Sequence, residues 1–270
     1  WIFKKIKLHK VLRLEGSSFM LGCIPNIWHL LMEEIPKLYR LQKANYNISE
    51  FDNLIGHNYT LAQQSEIYKI FNIDTSKIIT FENNKHLSFE SLTYFSPIYS
   101  PDIEAINWMK QKILKFYGIK VSKRNRRIFI SRENYSTKNI CNFKIISQVL
   151  KKHKFEIVRP EELNIENQIN LFSSANFVIG AHGAGLAANT IFCTENTNII
   201  EIRSQTHPVD FAAPHVCMWS STINKLRHSI LLCKNAEDKT LKGRSKTDSD
   251  FIICPNKLDF LINLHLNEKM

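Results

Sequence analysis

The 270-residue chain has room for one large domain or two moderate ones and for a substantial hydrophobic core. Hydrophobic residues make up 44% of it, and no apolar run reaches the roughly 20 residues that a membrane-spanning helix needs. The formal net charge of +11 fits an anionic substrate or an acidic membrane surface and gives no indication of nucleic-acid binding.

The first half of the chain predicts a mixture of strands and helices. Residues 1–15 alternate between apolar and basic side chains up to Gly16, which is typical of edge strands or a hairpin. A helix follows with Asn26 as its N-cap, and Pro36 is expected to end or kink it near Ile35. Beyond it we predict a helix over 63–71, a strand over 77–81, an irregular aromatic segment over 87–100 and a helix over 102–117.

His29 and Glu33 lie four residues apart in the first predicted helix and therefore share a face. A histidine and a carboxylate placed in this way form a candidate general base. An ordinary surface pair of the i, i+4 type is the alternative interpretation.

The second half alternates regularly between strands and helices. After a basic linker at 120–127, we predict strands over 127–131, 155–159, 177–181 and 198–202, and helices over 138–153, 165–175 and 186–192. This alternation predicts a parallel sheet with helices on both faces. Residues 204–234 have a weak helical pattern, and a short strand over 251–254 precedes a closing helix over 255–266. We accordingly expect two α/β domains, 1–119 and 120–270.

A turn of small residues connects the third of these strands to the next helix. The letters G-A-G-L-A-A from Gly183 fit the pattern G-x-G-x-x-A, and Glu201 stands at the end of the following strand. In a Rossmann unit these positions bind a pyrophosphate and a ribose, because glycines allow close backbone approach and the helix start offers N–H groups. A nucleotide diphosphate is the expected ligand, and a tight packing turn is the alternative.

Two further segments are expected at the same edge of the sheet. Ser131 and Arg132 follow the predicted strand 127–131, and a guanidinium group pairs well with phosphate. His182 stands directly before the glycine turn. The candidate nucleotide-binding residues are therefore Ser131, Arg132, His182, Gly183, Ala184, Gly185, Leu186 and Glu201.

Taken together, the motifs resemble glycosyltransferase family 61, which includes protein O-linked GlcNAc transferases, plant xylosyl- and arabinosyltransferases and bacterial capsule-locus proteins. The similar segments are R-I-F-I-S-R at 127–132, F-E-I-V-R-P-E-E-L at 155–163, the run at 168–192 that contains H-G-A-G-L, and I-I-E-I at 199–202. In the first half, N-I-W-H-L-L-M-E-E-I-P-K-L at 26–38 resembles the family pattern N-x-x-H-x-x-x-D/E-x-x-P-R-L, with Lys37 where arginine is usual.

The resemblance implies an α/β fold of GT-B type, with two Rossmann-like domains, an interdomain cleft and the donor on the C-terminal domain. It also implies an inverting, metal-independent transfer from a nucleotide-diphosphate sugar, expected to be a UDP-sugar, to a glycan or lipid-linked glycan acceptor. Arg132 and residues 182–186 fall on the donor-phosphate region, and Glu201 falls on the acid after it. His29 and Glu33 fall on the acceptor-side motif as the candidate catalytic pair, and which of them is the base stays open. No metal or other cofactor is expected.

The cellular setting and the rival functions complete the expectations. Six scattered cysteines without metal-ligand spacing predict buried free thiols in a reducing compartment. We expect a cytoplasmic enzyme of bacterial surface-polysaccharide synthesis in peripheral contact with an anionic membrane. The chain begins at Trp1 rather than Met and is expected to be part of a longer protein.

Three other functions are weighed against this one. A metal-dependent transferase would use Asp248 and Asp250, although their polar surroundings are typical of a solvated loop. An oxidoreductase would bind a dinucleotide at the glycine turn. A non-catalytic relative would bind a glycan or a partner protein.

Overall fold

The computed structural model describes residues 11–22, 24–57, 62–80, 86–95, 102–120, 124–133, 138–205, 215–236 and 250–267. The chain divides into two compact units, Trp1–Phe116 (unit 1) and Tyr117–Met270 (unit 2). Each unit contains its own sheet with helices in the connections between strands, so the α/β class expected from the sequence is confirmed.

Unit 1 contains a four-stranded parallel sheet in the order β3-β2-β1-β4. Its strands are β1 (Val11–Met20), β2 (Asn53–Gly56), β3 (Ile78–Thr80) and β4 (His86–Thr93). β1 pairs in parallel with β2 on one side and with β4 on the other. The described part of segment 1–15 is therefore an interior strand, and the prediction of edge strands or a hairpin is wrong there.

β4 also corrects the prediction of an irregular segment over 87–100. Its residues alternate between exposed and half-buried, so the strand has no fully buried position. Its own pattern is therefore weak, and it is the pairing with β1 that stabilises it as a strand.

The helical segment after β1 changes its hydrogen-bond pattern just before Pro36. Helix α1 (Ile27–His29) passes through a π turn (Leu30–Glu34) into helix α2 (Ile35–Lys43), with Asn26 capping the start as predicted. Proline has no N–H to donate, and the wider turn places it in the first turn of α2, where that N–H is not needed. The helix therefore continues beyond Ile35 instead of ending there. Helices α3 (Ala62–Ile70) and α4 (Ile103–Phe116) complete unit 1.

Unit 2 contains a six-stranded sheet in the order β10-β9-β8-β7-β5-β6, parallel except for the pairing of β10 with β9. The strands are β5 (Arg126–Ile130), β6 (Glu156–Val158), β7 (Ala175–Ala181), β8 (Asn198–Ser204), β9 (Arg227–Asn235) and β10 (Phe251–Ile252). The helices are α5 (Phe143–Lys152), α6 (Ile165–Ser173), α7 (Ala184–Thr190), α8 (His215–Ile223) and α9 (Pro255–Asn267). The sequence pattern predicted four of these parallel strands but not β9, which lies within the segment where only a weak helical pattern was visible.

The strand order of unit 2 reverses between β5 and β7. The chain passes from β5 to β6 on one side and then returns to β7 on the other side. Such a switch point leaves a crevice outside the carboxyl ends of the two strands, and ligands of open α/β sheets bind there. Ile130 of β5 pairs with Gly180 of β7. Arg132 and His182 each lie two residues beyond this pair, so both stand at the carboxyl edge of the sheet. We call this place the switch-point crevice.

The two faces of this sheet differ in chemistry. One face packs its apolar residues against α5 and α9 in a buried cluster that includes Phe129, Phe177, Ile179, Ile200, Ile202, Ile146, Leu150, Leu258 and Ile262. Side chains alternate along a strand, so Glu201 and Arg203 of β8 point to the other face. There they are buried although they are charged. Buried charges require partners of opposite charge or hydrogen-bond partners, and those of Glu201 and Arg203 are described with the site below.

Two findings bear on the expected setting. No helix among the described residues is long and apolar enough to cross a membrane. The described cysteines are all free thiols. Cys193, Cys217 and Cys233 are buried as expected, but Cys141 and Cys254 are exposed, so the prediction of burial is wrong for those two.

A matched pair of glycine substitutions tests the packing at the ends of β1 and β2. An added Cβ at Gly22 would overlap the carboxylate of Glu34, which is 2% exposed, whereas one at Gly56 would meet only Ile78 Cγ2 at 3.5 Å. Gly22→Ala should therefore lower the free energy of unfolding by about 1–3 kcal/mol, the usual cost of overpacking. Gly56→Ala should change it by less than about 1 kcal/mol. Chemical denaturation of both variants measures this difference, and equal stabilities would contradict it.

Candidate active site

The two glycines in the turn of unit 2 differ in backbone conformation. Gly183 has a φ of +146°, an angle that favours glycine whatever the space around it. No positive φ is recorded for Gly185, and a Cβ built on it would meet nothing within 4 Å. The described chain therefore does not need glycine at 185, and the open space is available to a ligand. Helix α7, which starts at Ala184, has only seven residues.

A buried carboxylate lies directly beneath this turn. Glu201 is fully buried, and its Oε1 accepts a hydrogen bond from His182 Nδ1. Arg203 donates to the same carboxylate twice, from Nε at 2.6 Å and from Nη2 at 3.0 Å. His228 Nε2 lies 2.9 Å from Glu201 Oε2. We call these four residues the Glu201 network.

The network determines the ionisation of Glu201. Burial by itself raises the pKa of this carboxyl, but the hydrogen bonds from His182 and Arg203 and the nearby imidazole of His228 outweigh burial and hold the pKa well below its usual range. Glu201 is therefore a permanent negative charge inside the fold. Because a carboxylate can only accept, Nδ1 of His182 carries the proton in their hydrogen bond.

The burial of Glu201 bears on the role that the sequence indicated for it. The sequence indicated a contact between Glu201 and a ribose, but the side chain has no exposed surface and its oxygens bind other protein groups. The geometry favours a positioning role, in which Glu201 orients His182 at the crevice. His182 itself is 7% exposed.

The same place includes a group of potential metal ligands. His182, Glu201 and Cys217 each offer one ligand atom, and these atoms lie within 4.8 Å of one another. However, a guanidinium already binds both oxygens of Glu201. Burial and the nearby charge of Glu201 also raise the pKa of the Cys217 thiol well above its usual value, so it stays protonated. The donor set fits a hydrogen-bonded charge network better than a metal centre.

Ser131 and Arg132 follow β5 at the switch-point crevice. Ser131 is buried, and its hydroxyl lies 3.3 Å from Glu133 Oε2 and accepts from Glu133 N at 3.2 Å. Its described hydrogen bonds therefore stabilise the turn that follows β5. Arg132 is half-buried and lines a small pocket of about 50 Å³ together with Ser131, Glu133 and Asn139. This pocket holds little more than a water or one small group, so it is too small to enclose a nucleotide.

The His29–Glu33 pair of unit 1 forms as expected from its spacing. His29 Nδ1 lies 2.8 Å from Glu33 Oε2 across the π turn, with 23% and 46% of the two side chains exposed. The neighbouring Glu34 is instead buried. Lys37 donates from Nζ to Leu21 O at 2.7 Å, so it ties the helix to the end of β1. An ammonium group suffices for this contact, which gives a physical reason why lysine can stand where the family has arginine.

A family comparison decides the identity of the chain. The model of glycosyltransferase family 61 matches residues 27–200, from α1 in unit 1 to β8 in unit 2. The chain belongs to glycosyltransferase family 61. It is therefore an enzyme that transfers a sugar from a donor to a glycan acceptor. No curated protein matches the chain.

Sequence reasoning did not find every member of the site in this family 61 enzyme. Arg203 had a usable signal, since it follows Glu201 by two residues in a strand whose other interior residues are isoleucines, and thus shares its face. His228 and Cys217 had no such signal in the sequence, because β9 and α8 were not recognised as a strand and a helix.

The Asp248-Ser249-Asp250 motif of the metal-dependent rival lies only partly within the described residues. Asp248 is outside them. Asp250 Oδ1 accepts from Asn139 N at 2.7 Å, so this carboxylate links the start of β10 to the segment before α5.

The Glu201 network predicts a defined response of the enzyme to acid. Because the pKa of Glu201 is lower in the folded than in the unfolded state, its contribution to stability is complete above its ordinary value of 4.5 and declines as the pH falls below that value. At pH 7, Glu201→Gln should cost about 3–5 kcal/mol, because it leaves a buried guanidinium without its counter-charge.

Chemical denaturation from pH 7 to pH 3 measures both effects. The gap between wild type and Glu201→Gln should shrink by about 1.4 kcal/mol for each pH unit below 4.5. The double variant Glu201→Leu, Arg203→Met should regain much of the loss, because it removes both charges. A gap that is independent of pH would contradict the proposed ionisation.

Proposed function

We propose that this family 61 enzyme is an inverting, metal-independent glycosyltransferase that takes its sugar from a nucleoside-diphosphate donor, most simply a UDP-sugar. The observation that carries the proposal is the strand order of unit 2. It brings Arg132 and the 182–186 turn to one switch-point crevice, where open α/β sheets bind their ligands. The proposal includes a GT-B division of labour, with the donor on unit 2 and the acceptor-side groups on unit 1.

Leaving-group stabilisation is the task of the switch-point crevice in this proposal. As the bond to the anomeric carbon breaks, negative charge builds up on the departing diphosphate, and preorganised donors lower the energy of that charge. Arg132 supplies a fixed positive charge. His182, whose ring Glu201 holds through Nδ1, stands directly before the glycine turn in the same region. Gly185 leaves room for the phosphates to approach the backbone.

Acceptor activation is the task of the His29–Glu33 pair. The pair supports the version in which His29 is the general base, because Glu33 orients its ring through Nδ1 and leaves Nε2 for the acceptor hydroxyl. In an inverting transfer, the activated hydroxyl attacks the anomeric carbon from the face opposite the diphosphate. The bond to the sugar forms as the bond to the diphosphate breaks, and the acceptor proton passes to the base.

The setting follows from charge and family. A net charge of +11 favours peripheral binding to an anionic membrane surface, where lipid-linked glycan acceptors are assembled. We propose a cytoplasmic role in bacterial surface-polysaccharide synthesis.

A donor panel on the purified chain tests the proposed function. UDP-, GDP- and CMP-sugars are compared by nucleotide release in the presence of EDTA, and thermal-shift titrations with UDP and NADH compare binding. The expected result is release from one diphosphate donor with full rate in EDTA. Stabilisation by NADH alone would favour the oxidoreductase alternative, and loss of activity in EDTA would contradict metal independence.

Arg132 has a matched control at the other end of its own strand. Arg132→Ala should reduce transfer by about 10²–10³-fold, the usual loss when one donor to a developing charge is removed. Arg126→Ala removes the same charge from the start of β5, where Arg126 pairs with Glu156 on the surface, and should leave the rate unchanged. Steady-state kinetics of both variants check this, and equal losses would remove the assignment.

Gly185 and Gly183 should respond differently to alanine. Gly185→Ala should keep the fold, because its Cβ meets no described atom within 4 Å, but should weaken the stabilisation by UDP as the methyl group occupies the ligand's space. Gly183→Ala should instead destabilise unit 2 by about 1–3 kcal/mol, because alanine is strained at a φ of +146°. Thermal shift with and without UDP separates the two effects. Unchanged UDP binding in Gly185→Ala would argue against a phosphate at the turn.

The identity of the base gives a third test. His29→Ala should abolish transfer and retain UDP binding, because the imidazole acts only on the acceptor. Glu33→Gln should retain a reduced rate, since the amide oxygen can still accept from Nδ1 and hold the ring in place. The reverse order of severity would make Glu33 the base. Full activity in His29→Ala would exclude His29.

A further inference from the structure

Unit 1 contains a second site that the transfer reaction does not use. A pocket of about 290 Å³ opens between the end of α2, the segment after it, the turn after α3 and the middle of α4. Its volume is just below the roughly 300–1,000 Å³ of ordinary small-molecule sites. The residues that matter for its chemistry are Gln42, Tyr46, Asn47, Asn72, Trp108 and Lys112.

The pocket lies far from the acceptor-side pair. α2 runs away from the carboxyl edge of the sheet, where His29 stands near the end of β1, towards the amino edge, where β2 and β3 begin. Gln42 comes thirteen residues after His29 in this continuous helical segment, a distance of roughly 20 Å at 1.5 Å per residue. A ligand held here therefore does not occupy the reaction site.

The aromatic part of the pocket is firmly supported. The Trp108 ring packs between Phe71, at a centroid distance of 5.4 Å, and Tyr39, at 5.6 Å. Tyr46 lines the same pocket with 55% of its surface exposed. Aromatic faces carry partial negative charge and attract the C–H groups of a sugar ring. An exposed tyrosine beside a fixed indole is a surface of this kind.

The polar part of the pocket suits hydroxyl groups. Gln42 and Asn72 are exposed, and each amide both donates and accepts hydrogen bonds, as a sugar hydroxyl does. No aspartate or glutamate is among the described residues that line the pocket. A ligand rich in hydroxyl groups therefore finds partners here without meeting a negative charge.

Lys112 adds a positive charge to this wall. Its Nζ lies 4.6 Å from the centroid of the Trp108 ring, and within the described chain it forms no ion pair with a carboxylate. An ammonium group in this position can bind a carboxylate, sulfate or phosphate of a ligand while the sugar ring contacts Tyr46.

We propose that this pocket binds one acidic sugar unit of a glycan and so holds a chain of saccharides on unit 1 away from the reaction site. The choice of a saccharide rests on the proposed function, because the glycan acceptor or its product is the hydroxyl-rich molecule that such an enzyme meets. Tyr46 contacts the ring, the amides bind hydroxyls and Lys112 binds the acidic group.

Isothermal titration calorimetry on the whole chain tests this site. The probes are three acidic oligosaccharides (tetragalacturonate, a hyaluronan tetrasaccharide and tetrasialic acid) and neutral maltotetraose. At least one acidic probe should bind, with maltotetraose weaker. Lys112→Glu and Tyr46→Ala should each weaken that binding by about tenfold or more, the loss expected for one charged or one stacking contact.

Two control variants separate the pocket from the general basic surface. Lys115→Glu reverses an exposed charge on the same helix, and Tyr94→Ala removes a ring that is 64% exposed on unit 1; neither residue lines the pocket. Both should bind the acidic probe within about twofold of wild type, which is below the loss of one contact. Equal losses in Lys112→Glu and Lys115→Glu would mean non-specific attraction and overturn the proposal.

The remaining outcomes are also decisive. No binding of any acidic probe, or equal binding of maltotetraose that Lys112→Glu leaves unchanged, overturns the acidic-sugar site. A UDP titration of the same samples reports on unit 2 separately. UDP binding without saccharide binding leaves the proposed function standing and removes the pocket, whereas saccharide binding with the expected variant pattern supports the pocket even when UDP does not bind.

Discussion

The hydrogen bond between the Glu201 carboxylate and His182 connects the interior of unit 2 to its switch-point crevice. A charge inside a protein is costly unless it has partners, and Glu201 has a guanidinium and two imidazoles. Because this charge is fixed, the ring that leads into the glycine turn has a fixed orientation as well. The local geometry of the candidate site is thus set by an interaction that never reaches the surface.

In unit 2, the strand order brings together residues that lie far apart in the sequence. Arg132 and His182 are fifty residues apart in the chain, and their shared place comes from the reversal of strand order between β5 and β7. A guanidinium, a rigid imidazole and a turn without bulky side chains then stand together at the edge where α/β sheets leave a crevice. This combination is what supports the proposed binding of a phosphate-bearing sugar donor on unit 2.

In unit 1, two groups of polar side chains lie at opposite ends of one helical segment. Near the carboxyl end of β1, the π turn before Pro36 carries the His29–Glu33 pair. At the far end of α2, amide and aromatic side chains form a separate pocket. A transferase that lengthens or decorates a glycan benefits from such a separation, because a remote contact retains the chain while the reacting hydroxyl changes.

The sequence by itself determined the family, the α/β class, the glycine turn and the spacing of His29 and Glu33, because each depends on residues close together in the chain. Short-range periodicity could not reveal that β1 lies inside its sheet, that β4 and β9 are strands, or that Glu201 turns inward to Arg203 and His228. Those features depend on pairing between distant segments. Only the tertiary structure decided them, since a weakly patterned strand or a buried charge is stable only when its neighbours are in place.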